Sequence, residues 1–386
     1  MEDGPDGAIS TLKIRQPLFP GMNTRDLSAH TLYRAGRGVE EVARELGLNP
    51  ESLVKLSSNE NPFGPSPAAA EAVRETATEV HEYPKAVHTD LTEAVAEKWD
   101  LPPEQVWVAA GGDGLLDYFG RTFLTESDRV LAPDPGFAYY PMTARYHGAD
   151  VDQYRLSKAD DFEQSADVVL DAYDGHRLVY VTTPHNPTGS EMPRAEIVRL
   201  AEETDDETLV VVDEAYGEFT DAPPARPLLD DREDIAILRT FSKAYGLAGL
   251  RVGYGLVPEE WADAYERINT PFAVTTVSCR AALAALEEGD HVEKTVETTK
   301  WAREYMHENL EVPTWESGGN FVLAAVGDAS AVTDVTKREG VIIRDCSSFG
   351  LPECVRITCG TREGTRRAVE IVNSVVDRAA TADHEG

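Results

Sequence analysis

Five side chains far apart in this 386-residue chain could do chemistry together: Asn186 in PHNPTG, Asp213 in VVVDEAY, Tyr216 just beyond it, Lys243 in TFSKAYG and Arg251 in GLRVGY. Lysine is scarce, nine residues against 27 arginines, so a lysine kept at 243 needs a property that arginine lacks. An amine partly buried at the end of a strand sheds its proton and becomes a nucleophile toward aldehydes, forming a Schiff base, which a guanidinium does not do. Each of the other residues also has a plain structural reading. Asp213 can cap a helix, Tyr216 can pack one turn later, and Asn186 can form a turn before Pro187.

The elements that must position these residues are short β-branched runs: QVWVAAG (105–111), RLVYVTT (177–183), TLVVVDEA (208–215) and IAILRT (235–240), with RVGYGL (251–256) as one more. Their continuous apolarity, separated by amphipathic stretches such as MPRAEIVRLAEE, predicts buried and largely parallel strands in an α/β layer fold. GGDG, PHNPTG, DEAY and FSK each follow one of these runs. Ligands of open α/β sheets sit beyond the carboxyl ends of the strands, so the four clusters are expected to converge. GGDGLLD is either a tight turn or a backbone nest for a phosphate at a helix N-terminus. It does not satisfy a dinucleotide fingerprint, which needs GxGxxG early in the chain and a later acid.

The C-terminal part is organised differently. A long helical region, SCRAALAALEEGDHVEKTVETTKWAREYMHENL, precedes short strands in NFVLAAV, GVIIRD and CVRITCG and a closing helix. This α+β pattern predicts a second, smaller domain. The expected division is a loose extension over 1–24, an arm with part of the small domain over 25–60, a large domain over 61–270 and a small domain over 271–386.

Composition narrows the function. Thirty-six basic residues against 69 acidic ones give a net charge of −33, which repels a phosphate backbone and argues against nucleic acid as a partner. No apolar run approaches a membrane span. The acidic N-terminus, without a basic n-region and apolar h-region, signals neither export nor import, so a cytoplasmic protein is expected; Met22 is an alternative start. Cys279, Cys346, Cys354 and Cys359 have no metal-ligand spacing and read as reduced thiols, with no metal expected. Dispersed acid with little lysine resembles a protein of a salt-rich cytosol, where molar salt shortens the Debye length to about 3 Å.

TFSKAYGLAGLRVGY, with DEAY and HNPTG before it, resembles the fold-type I pyridoxal-phosphate aminotransferases. KLSSNENPFGPSP and EYPK in front, and VIIRD and VRITCGT behind, bring it nearest to their histidinol-phosphate branch. The resemblance runs from about Arg25 onward, with motif gaps of 27 residues from Asn186 to Asp213, 30 from Asp213 to Lys243 and eight from Lys243 to Arg251. It implies a mainly parallel seven-stranded sheet sandwiched by helices, plus a smaller α+β domain. It also implies pyridoxal 5'-phosphate as cofactor, and ping-pong transamination between histidinol phosphate and 2-oxoglutarate, with glutamate on the other side of the exchange. Threonine-phosphate decarboxylase and aromatic aminotransferase activities share the fold and remain alternatives.

By the same resemblance, Lys243 is the catalytic residue and holds the cofactor covalently. Asp213 pairs with its ring nitrogen, Tyr216 and Asn186 donate to its ring oxygen, and Phe137 stacks on the ring. The backbone of Gly112, Asp113 and Gly114, with Thr240, Ser242 and Arg251, takes the phosphate. Tyr83 reaches that phosphate from the other subunit of a homodimer with shared sites. Tyr33, Asn61, Asn320, Arg344 and Arg356 are the implied substrate-binding residues. Two positions depart from the family pattern: the phosphate loop reads GDGLLD where GxGSDE is usual, and His185 stands before Asn186, where a turn-forming role is expected.

Overall fold

A computed structural model of the chain describes residues 38–384 except 87 and, before them, 24, 26–28 and 30. The expected extension over 1–24 and the substrate residue Tyr33 therefore lie outside or almost outside the described residues. Asp26 accepts a hydrogen bond from the Ser28 amide at 2.9 Å. The described residues from 38 onward belong to one compact unit.

Twelve strands occur among the described residues. In chain order they are β1 (Val54–Leu56), β2 (Val106–Ala109), β3 (Arg129–Asp134), β4 (Asp150–Arg155), β5 (Leu178–Thr182), β6 (Leu209–Asp213), β7 (Ile235–Thr240), β8 (Gly253–Leu256), β9 (Thr314–Trp315), β10 (Phe321–Ala325), β11 (Val341–Asp345) and β12 (Cys354–Thr358). Seven of them form one sheet in the order β2-β8-β7-β6-β5-β3-β4. Its pairings are parallel from β7 through β6, β5 and β3 to β4, whereas β8 runs antiparallel to both neighbours. RVGYGL is thus a strand, but of reversed direction.

Alternation explains why these strands read as unbroken apolar runs. Val179, Val181, Val210, Val212, Ile235 and Ile237 face one core cluster, and Leu178, Tyr180, Leu209, Val211, Ala236 and Leu238 face another on the opposite side of the sheet. Both faces are covered, so β5, β6 and the first four residues of β7 are apolar up to their ends; Arg239 near the end of β7 is buried and paired with Glu214 and Glu218. Chemistry-bearing side chains are therefore displaced to the strand termini.

The other five strands form a second sheet, β1-β11-β12-β10-β9, in which β1 and β11 are parallel and the remaining pairs antiparallel. Helices Gly289–Asn309 and Arg362–His384 supply buried residues, including Ala302, Met306, Val369 and Val372, to its core. The long helical region before this sheet is two helices, Thr276–Glu287 and Gly289–Asn309, with Glu288 at the junction between them.

Candidate functional site

The helix Gly111–Phe123 starts directly after β2. Gly111 has φ 75, and a Cβ there would meet Arg251 Nη2 at 2.7 Å, so only glycine lets the guanidinium pack onto the helix start. Arg251 itself sits at φ 50. Its Nη1 donates to the Ala248 carbonyl at 3.0 Å and lies 3.5 Å from Ser242 Oγ, while Nη2 donates to the Asp113 carboxylate at 3.2 Å. Thr240 Oγ1 donates to Ser242 Oγ at 3.0 Å and accepts from the Ser242 amide at 3.1 Å. Gly112, Asp113, Gly114, Thr240, Ser242 and Arg251 thus come together from β2, β7 and the turn before β8. A helix start, two hydroxyls and a guanidinium are the donors a phosphate dianion needs.

Asp213 ends β6 and is 5 % exposed. Tyr140 Oη donates to its Oδ2 at 2.6 Å, and the Ala215 amide donates to Oδ1 at 2.9 Å. Tyr140 has one proton, so it accepts from Thr182 Oγ1 at 2.7 Å. Burial pushes the Asp213 carboxyl up to about 6; Tyr140, Ala215 and Lys243 oppose the rise, and Asp113 adds to it. Such a carboxylate suits a cationic partner, for example a protonated ring nitrogen. Sequence reasoning missed Tyr140. The one available signal was its place three residues after Phe137, on the next turn of chain; Phe137 meets it edge-on at 5.6 Å.

Lys243 follows β7, with Nζ 5.6 Å from the centroid of the Tyr216 ring. Tyr216 Oη accepts from Asn59 Nδ2 at 2.9 Å, and its ring packs edge-on against Phe321 at 5.2 Å. Asn186 Oδ1 accepts from Arg356 Nη1, whose Nη2 donates to the Ser57 carbonyl at 2.9 Å. Asp213, Tyr216, Asn186 and Lys243 therefore share a site with Arg356 from the second sheet.

Arg344 on β11 and Arg356 on β12 are directly opposite in the antiparallel register, so their side chains leave the same face. Their guanidinium carbons lie 5.6 and 5.9 Å from the same ring, that of Phe349. Arg356 also lies 5.3 Å from the Phe321 ring and is 5 % exposed. Like charges placed opposite each other destabilise a sheet, and an anion between them reverses that sign.

The remaining expected residues make other contacts within the chain. The Asn61 amide is engaged structurally: Nδ2 donates to the Ala244 carbonyl at 2.8 Å and Thr295 Oγ1 at 3.1 Å, and Oδ1 accepts from the Phe63 amide at 2.8 Å. Its neighbour Asn59, which sequence reasoning passed over, is the one that reaches Tyr216. Asn320 is 1 % exposed and donates to the Asn59 carbonyl at 3.1 Å. Tyr83 is 84 % exposed, its ring 4.9 Å from that of Phe272, and has no contact with the cluster among the described residues. His185 is fully buried; Nδ1 pairs with Thr188 Oγ1 at 2.8 Å, its backbone closes the turn with Gly189 and Ser190, and burial pushes its ring down to about 3. It is a neutral turn residue.

A sheet of this order with a lysine, an aspartate and a helix-start anion cradle at its strand ends defines a transaminase-like class of protein. The chain belongs to the aminotransferase class I and II family, whose model matches residues 51–372. It is 64 % identical over 92 % of its length to histidinol-phosphate aminotransferase of Haloarcula marismortui, covering 99 % of that protein, and 63 % identical over 94 % to that of Haloferax volcanii, covering all of it. Among solved structures it is similar to histidinol-phosphate aminotransferase from Sinorhizobium meliloti in complex with pyridoxal-5'-phosphate, at TM-score 0.81 and 27 % identity, covering 89 % of this chain and 96 % of that one.

Proposed function

We propose that this chain is a histidinol-phosphate:2-oxoglutarate aminotransferase that uses pyridoxal 5'-phosphate. The observation that carries the reading is the convergence of a strand-end lysine and a buried aspartate with two arginines set opposite each other on β11 and β12. The names of the haloarchaeal relatives supply the substrate. The residues present fit the cofactor: the Gly111 start with Arg251, Thr240 and Ser242 suits its phosphate, and Asp213 its ring nitrogen. When bound, pyridoxal phosphate supplies an electron sink for the pair left when the substrate Cα loses its proton.

The chain's own residues do the rest. Lys243 would hold the cofactor through its amine and then move the proton at the substrate Cα as base and acid. Asp213, kept in place by Tyr140 and the Ala215 amide, favours the protonated ring nitrogen. Asn186 and Tyr216 would hold the ring oxygen, and Phe137 would lie against the ring. Arg356 receives the α-carboxylate. Arg344 beside it receives the substrate's phosphate or the second carboxylate of glutamate, so one site serves both partners in turn. Asn320, which donates to the Asn59 carbonyl, would line the substrate pocket; Tyr33, expected to bind substrate, lies outside the described residues.

We take the seven-stranded sheet as the large domain over 61–270 and residues 271–386 as the small domain, with 25–60 an N-terminal arm and part of the small domain. The exposed Tyr83–Phe272 pair, with Val80 at 69 % exposure nearby in sequence, suits contact with a second copy in a homodimer, where Tyr83 would reach the other phosphate site. Among the described residues no helix is long and apolar enough to cross a membrane and no cluster suits a metal ion. Four unpaired thiols suit a reducing cytoplasm.

The test is a panel of histidinol phosphate, threonine phosphate and phenylalanine with 2-oxoglutarate. Turnover of histidinol phosphate is expected to dominate; its absence, with either other amine consumed, overturns the assignment.

A further inference from the structure

Asn59 is 1 % exposed, sits at φ 53 in the left-handed region, and uses its backbone and side-chain polar groups together. Its amide N–H donates to Thr358 Oγ1 at 3.0 Å, and Thr358 Oγ1 donates to Asn59 Oδ1 at 3.0 Å. Its carbonyl accepts from Asn320 at 3.1 Å. In this arrangement the threonine hydroxyl's one proton goes to Oδ1 and Nδ2 faces Tyr216.

The consequence falls on Tyr216. Among the described residues its Oη has one hydrogen-bond partner, Asn59 Nδ2 at 2.9 Å, and there it accepts. A phenol has one proton. With Asn59 donating, that proton is left for another acceptor, and Lys243 Nζ, 5.6 Å from the ring centroid, places Tyr216 at the site.

Resting on the proposed function, we infer that Asn59 is a positioning residue that sets the direction of the Tyr216 proton, making Tyr216 a donor into the site rather than an acceptor. Donation to the cofactor's ring oxygen stabilises negative charge there and lowers the proton affinity of the Lys243–cofactor linkage. A residue that turned the tyrosine proton away would raise it. Asparagine does this where aspartate cannot: the two have the same shape, but a carboxylate only accepts. Thr358 on β12 and Asn320 before β10 tie the device to the sheet that carries Arg356.

The experiment is a pH titration of the visible absorbance of the holoenzyme, comparing the parent with Asn59→Asp, Tyr216→Phe and the double variant, with Asn59→Ser as a smaller-volume check. Asn59→Asp is expected to raise the spectral midpoint by about one unit, a tenfold change in proton affinity. Tyr216→Phe should raise it at least as much, and the double variant should match Tyr216→Phe alone. Asn59→Ser, if it folds where Asn59→Asp does not, should give a smaller rise that also vanishes in the Tyr216→Phe background. A parent-like midpoint in coloured Asn59→Asp, or a shift that persists undiminished without the Tyr216 hydroxyl, overturns the inference while leaving the function intact. A parent protein that gains no colour with pyridoxal phosphate overturns both.

Discussion

The two sheets carry their share of the site in opposite ways. At the strand ends of the seven-stranded sheet, charges are answered locally: Arg251 by Asp113, and Asp213 by Tyr140 and the Ala215 amide. In the five-stranded sheet the register sets Arg344 and Arg356 against each other, with Phe349 in reach of both. On the proposed function, the first region would hold the ligand that stays, and the second would bring two arginines to the anions that come and go.

Breaking the resident side at its covalent point should have the largest effect. Lys243→Ala is expected to abolish both the yellow colour and turnover, lowering kcat by about 10⁴-fold or more; stopped-flow and steady-state rates check it, and residual activity within tenfold of the parent would contradict the role. On the exchanging side, Arg356→Ala should lower kcat/KM for glutamate by about 10²- to 10³-fold, the usual cost of removing one partner of a buried charged contact. The colour should remain, because Lys243 and the phosphate cradle are untouched, although Asn186 loses its Arg356 partner.

Asp213 sharpens the contrast through pH. Its carboxyl rises from 3.8 to about 6 on folding, so the folded apoprotein holds this proton longer than the unfolded chain does. The penalty is absent below pH 3.8, grows between there and about 6, and is complete above that. Asp213→Asn should therefore stabilise the apoprotein at pH 8 by roughly 3 kcal/mol, with no gain near pH 3.5. Denaturant unfolding at both values tests this, and a gain independent of pH would contradict it. The smallest effect is expected from Arg344→Ala: about a tenfold rise in KM for histidinol phosphate, mainly without loss of kcat, since Arg344 is more open than Arg356.

How much of this was legible in the sequence follows from the same contrast. Lys243, Asp213 and the GGDG helix start could be read because each lies at or just beyond the end of a run buried on both faces. Arg344 and Arg356 lie within strands, and their pairing depends on a register between segments that no local pattern encodes. The reversed direction of β8 was hidden for the same reason, since apolarity carries no polarity of chain. Asn59 and Asn61 were indistinguishable in SNENP; only the left-handed backbone and the distant Thr358 separate the one that reaches Tyr216 from the one that pins Ala244 and Phe63. Tyr140 acts through Thr182 and Asp213, 42 and 73 residues away.

The central claim is that Lys243, of nine lysines, carries the cofactor. Borohydride reduction of the pyridoxal-phosphate-loaded protein, followed by peptide mass mapping, tests it most directly. The account predicts bleaching of the yellow colour and one added pyridoxyl-phosphate mass on the peptide containing Lys243. An added mass on another lysine, or none at all, would contradict it.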